Sequence, residues 1–188
     1  MMKEKLIQKI KEFQPLNEQE AADKGTLLNL LAGDDDLSLR DNLIAHLTAS
    51  AWVVNPERTK VLMAYHNLYN SWAWLGGHAD GSFDLAAVAE KEAREETGIE
   101  DVKLVSDDIL SLEILTVDGH EKKGKYVPCH LHLNCTYLLE ADPHGPIRVK
   151  EDENSQVGWI DFADIGVKST EPWFIERIYS KLCSKSSQ

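Results

Sequence analysis

Three glutamates, Glu92, Glu95 and Glu96, fall within five residues of one another in the stretch 82–99, SFDLAAVAEKEAREETGI. Leu85, Val88, Ala89 and Ala93 recur there at helical spacing. Ser82 or Asp84 can cap the start, and Gly98 stands where a left-handed C-cap is wanted. On such a helix Glu92 and Glu96 share one face with Glu95 beside them, and like charges so placed repel by a few tenths of a kcal/mol. Solvation of a charged face, or pairing with Lys91 and Arg94, would relieve that repulsion. So would a divalent cation held by carboxylate oxygens, which can activate water and polarise a bound substrate oxygen. The Gly76-Gly77 pair upstream favours the cation, because glycines permit close backbone approach and can turn a carbonyl toward the same ion.

Other residues with chemical potential lie downstream. In Cys129–Thr136 the side chains alternate, so Cys129, Leu131, Leu133 and Cys135 form an apolar face and His130, His132, Asn134 and Thr136 a polar one. The polar set suits the lining of a substrate cavity, a solvent face, or a transition-metal site in which His130 and His132 recruit His46 as a third ligand. DGHEKKGKY, residues 118–126, gathers Lys122, Lys123 and Lys125 around Gly124, either to fold over an anionic substrate or as a solvated hairpin tip. Trp72 and Trp74 are two apart on a strand. Core packing suits at least one, and Trp74 is a candidate for stacking on a base.

The elements that must position these groups follow from pattern. Leu6, Ile7 and Ile10 mark a first helix ended by Pro15. Asn17 with Glu20 resembles a capping box opening a second helix toward Leu31. Asp34, Asp35 and Asp36 lack the alternating spacing of a calcium loop and read as a solvated turn. LTASAWVVN and TKVLMAYH read as strands around Pro56-Glu57-Arg58, SWAWLGG as one short strand, and DILSLEILTV, VPCHLHLNCTYLLEA and QVGWIDF as further strands. EPWFIERIYSKL closes the chain as a helix with Pro172 in its first turn. Strands flanking one central helix, with helices at both ends, imply a mixed α/β sandwich.

Bulk properties set limits. The 188 residues, 43% of them apolar, suffice for one ordinary core. A net charge of -12 argues against a surface that neutralises a nucleic-acid backbone, and means that an anionic substrate needs a cation beside it. Three cysteines without C-x-x-C spacing give neither a disulfide framework nor a zinc ribbon. No signal-like or membrane-length apolar run is present, so a cytoplasmic setting without membrane association is the expectation.

The 77–99 segment resembles the Nudix box, G-x5-E-x7-R-E-U-x-E-E-x-G-U with U a bulky aliphatic residue. Gly77, Glu92, Glu95, Glu96, Gly98 and Ile99 match, with the family's preceding glycine at Gly76. Phe83 stands in place of the first Glu, Lys91 of the Arg, and Ala93 of the bulkier aliphatic residue. The resemblance implies a Nudix-like α/β/α sandwich with a mixed sheet over residues 45–188, preceded by an N-terminal helical extension at 1–44. It implies a pyrophosphohydrolase that uses Mg2+, or Mn2+ in its place, to cleave a nucleoside diphosphate linked to another moiety. The implied metal ligands are Glu92, Glu96 and the Gly76 carbonyl, with Glu95 and Glu153 as further ligands. Glu95 or Glu153 is the implied base, Glu153 lying in the acidic loop before Trp159. His130, His132, Lys123 and Trp74 are the substrate-contact candidates, Asp80 or Asp84 could stand in for the carboxylate absent at Phe83, and Arg94 for the absent Arg. A homodimer is compatible with this reading, as is a non-catalytic nucleotide-binding module. An isomerase on the same fold is disfavoured, because the T-N-T-C-C-S-H-P segment of isopentenyl diphosphate isomerases is missing and the glycine turn reads LGGHADG.

Overall fold

In a computed structural model, which describes residues 2–67, 70–122, 124–150 and 154–187, the chain forms a curled mixed sheet with helices on both sides. Its centre is a parallel pair, β1 (Ala45–Val54) and β9 (His130–Ala141), in register from Ala45 opposite Leu131 to Val54 opposite Glu140. The remaining pairings are antiparallel. The edge of β1 away from β9 is shared: β2 (Lys60–His66) takes its last residues, while β4 (Leu75–His78) takes Thr48 to Ala51. The far edge of β9 is shared in the same way by β6 (Ser111–Val117) and β5 (Val102–Leu104). β10 (Asn154–Asp161) and β3 (Ser71–Ala73) complete the sheet on β2. β7 (His120–Lys122) and β8 (Lys125–Val127) form a separate hairpin that turns at Gly124, whose φ is 74°.

The period-two alternation of β1 and β9 divides the core. Leu47, Ala49, Ala51 and Val53 of β1, with Leu133, Cys135, Tyr137 and Leu139 of β9, pack with α3 (Leu85–Thr97). The same cluster takes Leu6 and Ile10 from α1 (Met2–Glu12) and Leu27 and Leu31 from α2 (Glu18–Leu31), so the N-terminal helices are built into it. On the opposite face Trp52, Val54 and Met63 pack with Ile178, Tyr179 and Leu182 of the C-terminal helical segment. Among the described residues no helix is long and apolar enough to cross a membrane.

Three features depart from the sequence-based expectations. SWAWLGG is two strands, because the chain leaves β2 at Ala73 and crosses to β1 at Leu75, with Trp74 between them. The closing helix is interrupted: α5 (Pro172–Phe174) passes through a π-helical turn, Ile175–Tyr179, into α6 (Ser180–Ser186). Half of the capping box is as expected, since Asn17 accepts from the Glu20 N–H at 2.9 Å. The Glu20 carboxylate accepts from Leu16 N at 2.7 Å and reaches inward to Lys185 and Lys181, at 2.9 and 3.1 Å. Lys181 also meets Glu113 at 2.9 Å, and all three partners are buried. This network of α2, β6 and α6 fastens both ends of the chain to the sheet.

Candidate active site at the glycine turn

Helix α3 begins where its sequence says it should, with Asp84 as N-cap accepting from Ala87 N at 3.2 Å, and it ends on Gly98 in the left-handed conformation, φ 66°. Ala89 and Ala93 are fully buried in the same core as Ala49 and Ala51 of β1, so small residues on both surfaces replace the bulkier aliphatic residue of the box pattern. Glu92 and Glu96 then face β4.

The backbone of β4 touches both carboxylates. Gly76 N donates to Glu96 Oε2 at 3.3 Å. A strand residue sends its N–H and C=O to the same side, so the Gly76 carbonyl leaves β4 toward Glu96 as well. A Cβ on Gly77 would lie 2.5 Å from Glu92 Cδ, and one on Gly76 would lie 2.5 Å from the Ala49 carbonyl oxygen. The two glycines therefore differ in what they protect. Gly77→Ala can be accommodated by swinging the Glu92 carboxylate aside. We expect about a tenfold or greater loss of kcat/KM with Tm nearly unchanged, since misplaced catalytic geometry is costly. Gly76→Ala must move backbone, and should cost about 1–3 kcal/mol of stability in a denaturant melt.

Lys91 provides the counter-charge, at 3.2 Å from Glu92 and 3.3 Å from Glu95. The Glu92 hydrogen bond, ahead of the other influences, raises the Lys91 pKa. Lys91 is mostly exposed, and pairs of that kind contribute at most about 1 kcal/mol, so a divalent cation can displace it. Arg94 does not take the place of the missing box arginine. It binds Glu90 at 2.8 Å and the Val102 carbonyl at 3.0 Å, tying α3 to β5. Asp80 accepts from Nε and Nη2 of Arg40, a pairing whose hydrogen bond pushes the carboxyl pKa down, and Asp84 is committed as N-cap. Neither substitutes for a carboxylate at position 83. Phe83 itself packs against the core and lines a shallow recess with Met2, Lys5 and Leu6 of α1. The departure at 83 thus accompanies the N-terminal helix.

The other candidates are dispersed. Trp74 lies edge-on to Phe174 and Tyr179, against the C-terminal segment. His130 and His132 lie on the polar face of β9, opposite the α3 side, with Asn134 accepting from Thr48 and Ser50 at 3.0 Å each. Lys122 and Lys125 are exposed at the β7–β8 tip, while Lys123 and Glu153 fall outside the described residues. Sequence reasoning missed His78. Its ring lies 5.1 Å from His46 and 5.0 Å from His132, between centroids. Burial lowers the pKa of His78 to about 4 and of His132 to about 2, so at neutral pH these rings are uncharged lone-pair donors.

The donor chemistry of the carboxylates suits hard cations, although among the described residues their oxygens are not drawn together as a ready-made ligand group. Three glutamates and a strand carbonyl offer only oxygen, the donor set of Mg2+ and Mn2+. Comparison with known proteins agrees with the resemblance to the Nudix family. The family model for the NUDIX domain matches residues 45–182. Comparison with curated protein sequences finds no match. Among solved structures, a Caenorhabditis elegans Ap4A hydrolase binary complex is similar at 18% identity and TM-score 0.53, over 75% of this chain and 94% of that one. A NUDIX hydrolase from Listeria monocytogenes is similar at 12% identity and TM-score 0.52, over 74% and 92%. A MutT protein from Methanosarcina mazei is similar at 15% identity and TM-score 0.50, over 76% and 95%. The chain belongs to the Nudix family, and with it to the pyrophosphohydrolases.

Proposed function

We propose that this enzyme hydrolyses the pyrophosphate linkage of a nucleoside diphosphate linked to another moiety, with Mg2+ as cofactor and Mn2+ as a substitute. The observation that carries the reading is the seating of Gly76 and Gly77 directly on the carboxylates of Glu92 and Glu96. Glu92, Glu95, Glu96 and the Gly76 carbonyl would hold the ion. When bound, it supplies charge neutralisation at the phosphoryl oxygens and lowers the pKa of a bound water.

The protein's own residues do the rest. Glu96 is buried and anchored by the Gly76 N–H, which fixes its carboxylate for binding. Glu95 is half exposed and, among the described residues, pairs with Lys91 alone, so it is the box carboxylate freest to accept a proton from water. Glu153 is the second candidate base, proposed from the family resemblance alone. In this reading residues 45–188 form the hydrolase domain, with 1–44 an extension. Of the substrate-contact candidates, Lys123 is retained from the sequence reading alone; His130 and His132 lie on the sheet face opposite the α3 carboxylates and Trp74 packs against the C-terminal segment, so these three are not assigned to the substrate. The strongly acidic surface keeps the substrate small and free of a nucleic-acid backbone.

A panel of nucleoside diphosphate sugars, dinucleoside polyphosphates and nucleoside triphosphates, each with Mg2+ and with EDTA, tests the proposal. At least one compound should be cut at a phosphoric anhydride bond in Mg2+ and left intact in EDTA. Tight binding of a nucleotide without turnover would instead mark a binding module.

A further inference from the structure

The histidines on the far face of the sheet form a second donor set. The parallel register places His46 of β1 directly opposite His132 of β9, and His130 two residues before it on the same face. Ring centroids are 4.8 Å apart for His46 and His130, 5.1 Å for His46 and His132, and 5.0 Å for His130 and His132. One ring nitrogen from each lies within 4.8 Å of the other two, and among the described residues no other such group of histidine, cysteine or carboxylate side chains occurs. His130 Nε2 and His132 Nε2 are 3.2 Å apart. Three nitrogens around a tetrahedral zinc ion, each about 2.0–2.1 Å from it, stand roughly 3.3 Å from one another. Closing the set therefore takes ring rotation and no change of fold.

Two of the three tautomers are set for metal binding, while His132, whose Nε2–H donates to the His130 Nε2 lone pair at 3.2 Å, would move that proton to Nδ1 when an ion binds. His46 Nδ1 lies 3.0 Å from the Asn42 carbonyl oxygen, and His130 Nδ1 lies 2.8 Å from that of Pro128. A carbonyl only accepts, so both Nδ1 atoms carry the proton and both Nε2 atoms present lone pairs to the centre of the group. Nδ1–H bound to a backbone carbonyl is the usual support of a metal-ligating imidazole. His46 is only 3% exposed, and its Nε2 has no hydrogen-bond partner among the described residues. Leaving a buried acceptor so costs about 1–3 kcal/mol, which a bound cation would offset.

We propose that His46, His130 and His132 bind one late first-row divalent metal ion of the zinc class, at a site distinct from the carboxylate site. The two sites lie on opposite faces of β4 and β1. Gly77 pairs with Ala49 and meets Glu92 on the α3 side, whereas His78 pairs with Thr48 and packs against His46 and His132 on the other. Donor chemistry separates them further, since imidazole nitrogen selects zinc, cobalt or nickel and carboxylate oxygen selects magnesium or manganese. Three protein donors leave a coordination position for water or an anionic oxygen, in the manner of open rather than closed zinc sites.

Cobalt reads the site without reference to turnover. The full chain, stripped with chelator and dialysed, is titrated with Co2+ in excess Mg2+, which keeps the carboxylates occupied and does not compete for imidazole. The expected result is visible d–d absorption that saturates at one Co2+ per chain and is displaced by one equivalent of Zn2+. His46→Gln and His132→Gln should each weaken Co2+ binding at least tenfold, while Glu96→Gln should leave the spectrum unchanged. Absence of a saturating band in the wild-type chain would overturn the proposal whatever the variants do. So would a band that survives both histidine substitutions, or one lost in Glu96→Gln. Because the readout is a spectrum in the presence of Mg2+, failure here and failure of the hydrolase reading are distinguishable.

Discussion

Glu96→Gln is expected to lower kcat/KM about 10²–10³-fold while leaving the fold in place. Removing one preorganised electrostatic contact to the developing charge of a transition state typically has that effect, equivalent to roughly 3–4 kcal/mol. The substitution keeps shape and volume, and the amide oxygen can still accept from Gly76 N, now at 3.3 Å from Oε2. What is lost is one negative charge at the buried end of the carboxylate group. Stability should change by no more than about 1 kcal/mol, because no cavity is created and relief of repulsion among the crowded glutamates offsets the new amide donors. The two readouts must separate. Comparable losses of activity and stability would mean that Glu96 is structural, and normal turnover would remove it from the site.

Lys181→Met should destabilise the fold by about 3–5 kcal/mol, a fall in Tm on the order of 10 °C for a chain of this size. Lys181 is 3% exposed and lies between Glu20 and Glu113, neither of which has solvent access. Lys185 remains on Glu20 at 2.9 and 3.0 Å, so Glu113 is the charge left without a cation. Its remaining partners, Ser111, Asn134 and Thr136, are neutral. Adding Glu113→Gln to Lys181→Met should therefore recover part of the loss, and a double variant as unstable as the sum of the singles would contradict the pairing.

Acid should find the same network. Burial alone would raise the Glu20 carboxyl pKa, but the Leu16 N–H, Lys185 and Lys181 outweigh it and hold the folded value below the ordinary 4.5. Its stabilising contribution is then complete above the unfolded pKa and is lost as the pH falls through the folded one. Melting temperatures should accordingly drop below about pH 4.5.

How much of this was legible depended on range. The α3 caps, the placement of Glu92 and Glu96 on one face, and the proximity of the glycine pair follow from spacings of a few residues, and they are read directly from 77–99. Partner choice among charged residues was not legible. Asp80 pairs with Arg40, and Glu20 crosses to Lys185, because strand pairings far apart in sequence bring those groups together. The same holds for the histidines. H-x-H at 130–132 is visible in the chain, but only the register of β1 against β9 sets His46 beside it, and only β4 crossing to β1 adds His78. SWAWLGG misled because its apolar run is continuous while its partner changes from β2 to β1, and hydropathy carries no record of which neighbour a strand has.

If the crowded glutamates of α3 hold a divalent cation, the chain must withdraw Mn2+ from solution, which electron paramagnetic resonance reads. Adding the wild-type chain to a fixed Mn2+ concentration should diminish the six-line signal of the free ion, and excess Mg2+ should restore it. Glu96→Gln, correctly folded by circular dichroism, should leave most of that signal in place. Equal withdrawal of Mn2+ by the Glu96→Gln chain, or no withdrawal by the wild type, would show that these glutamates do not hold the ion.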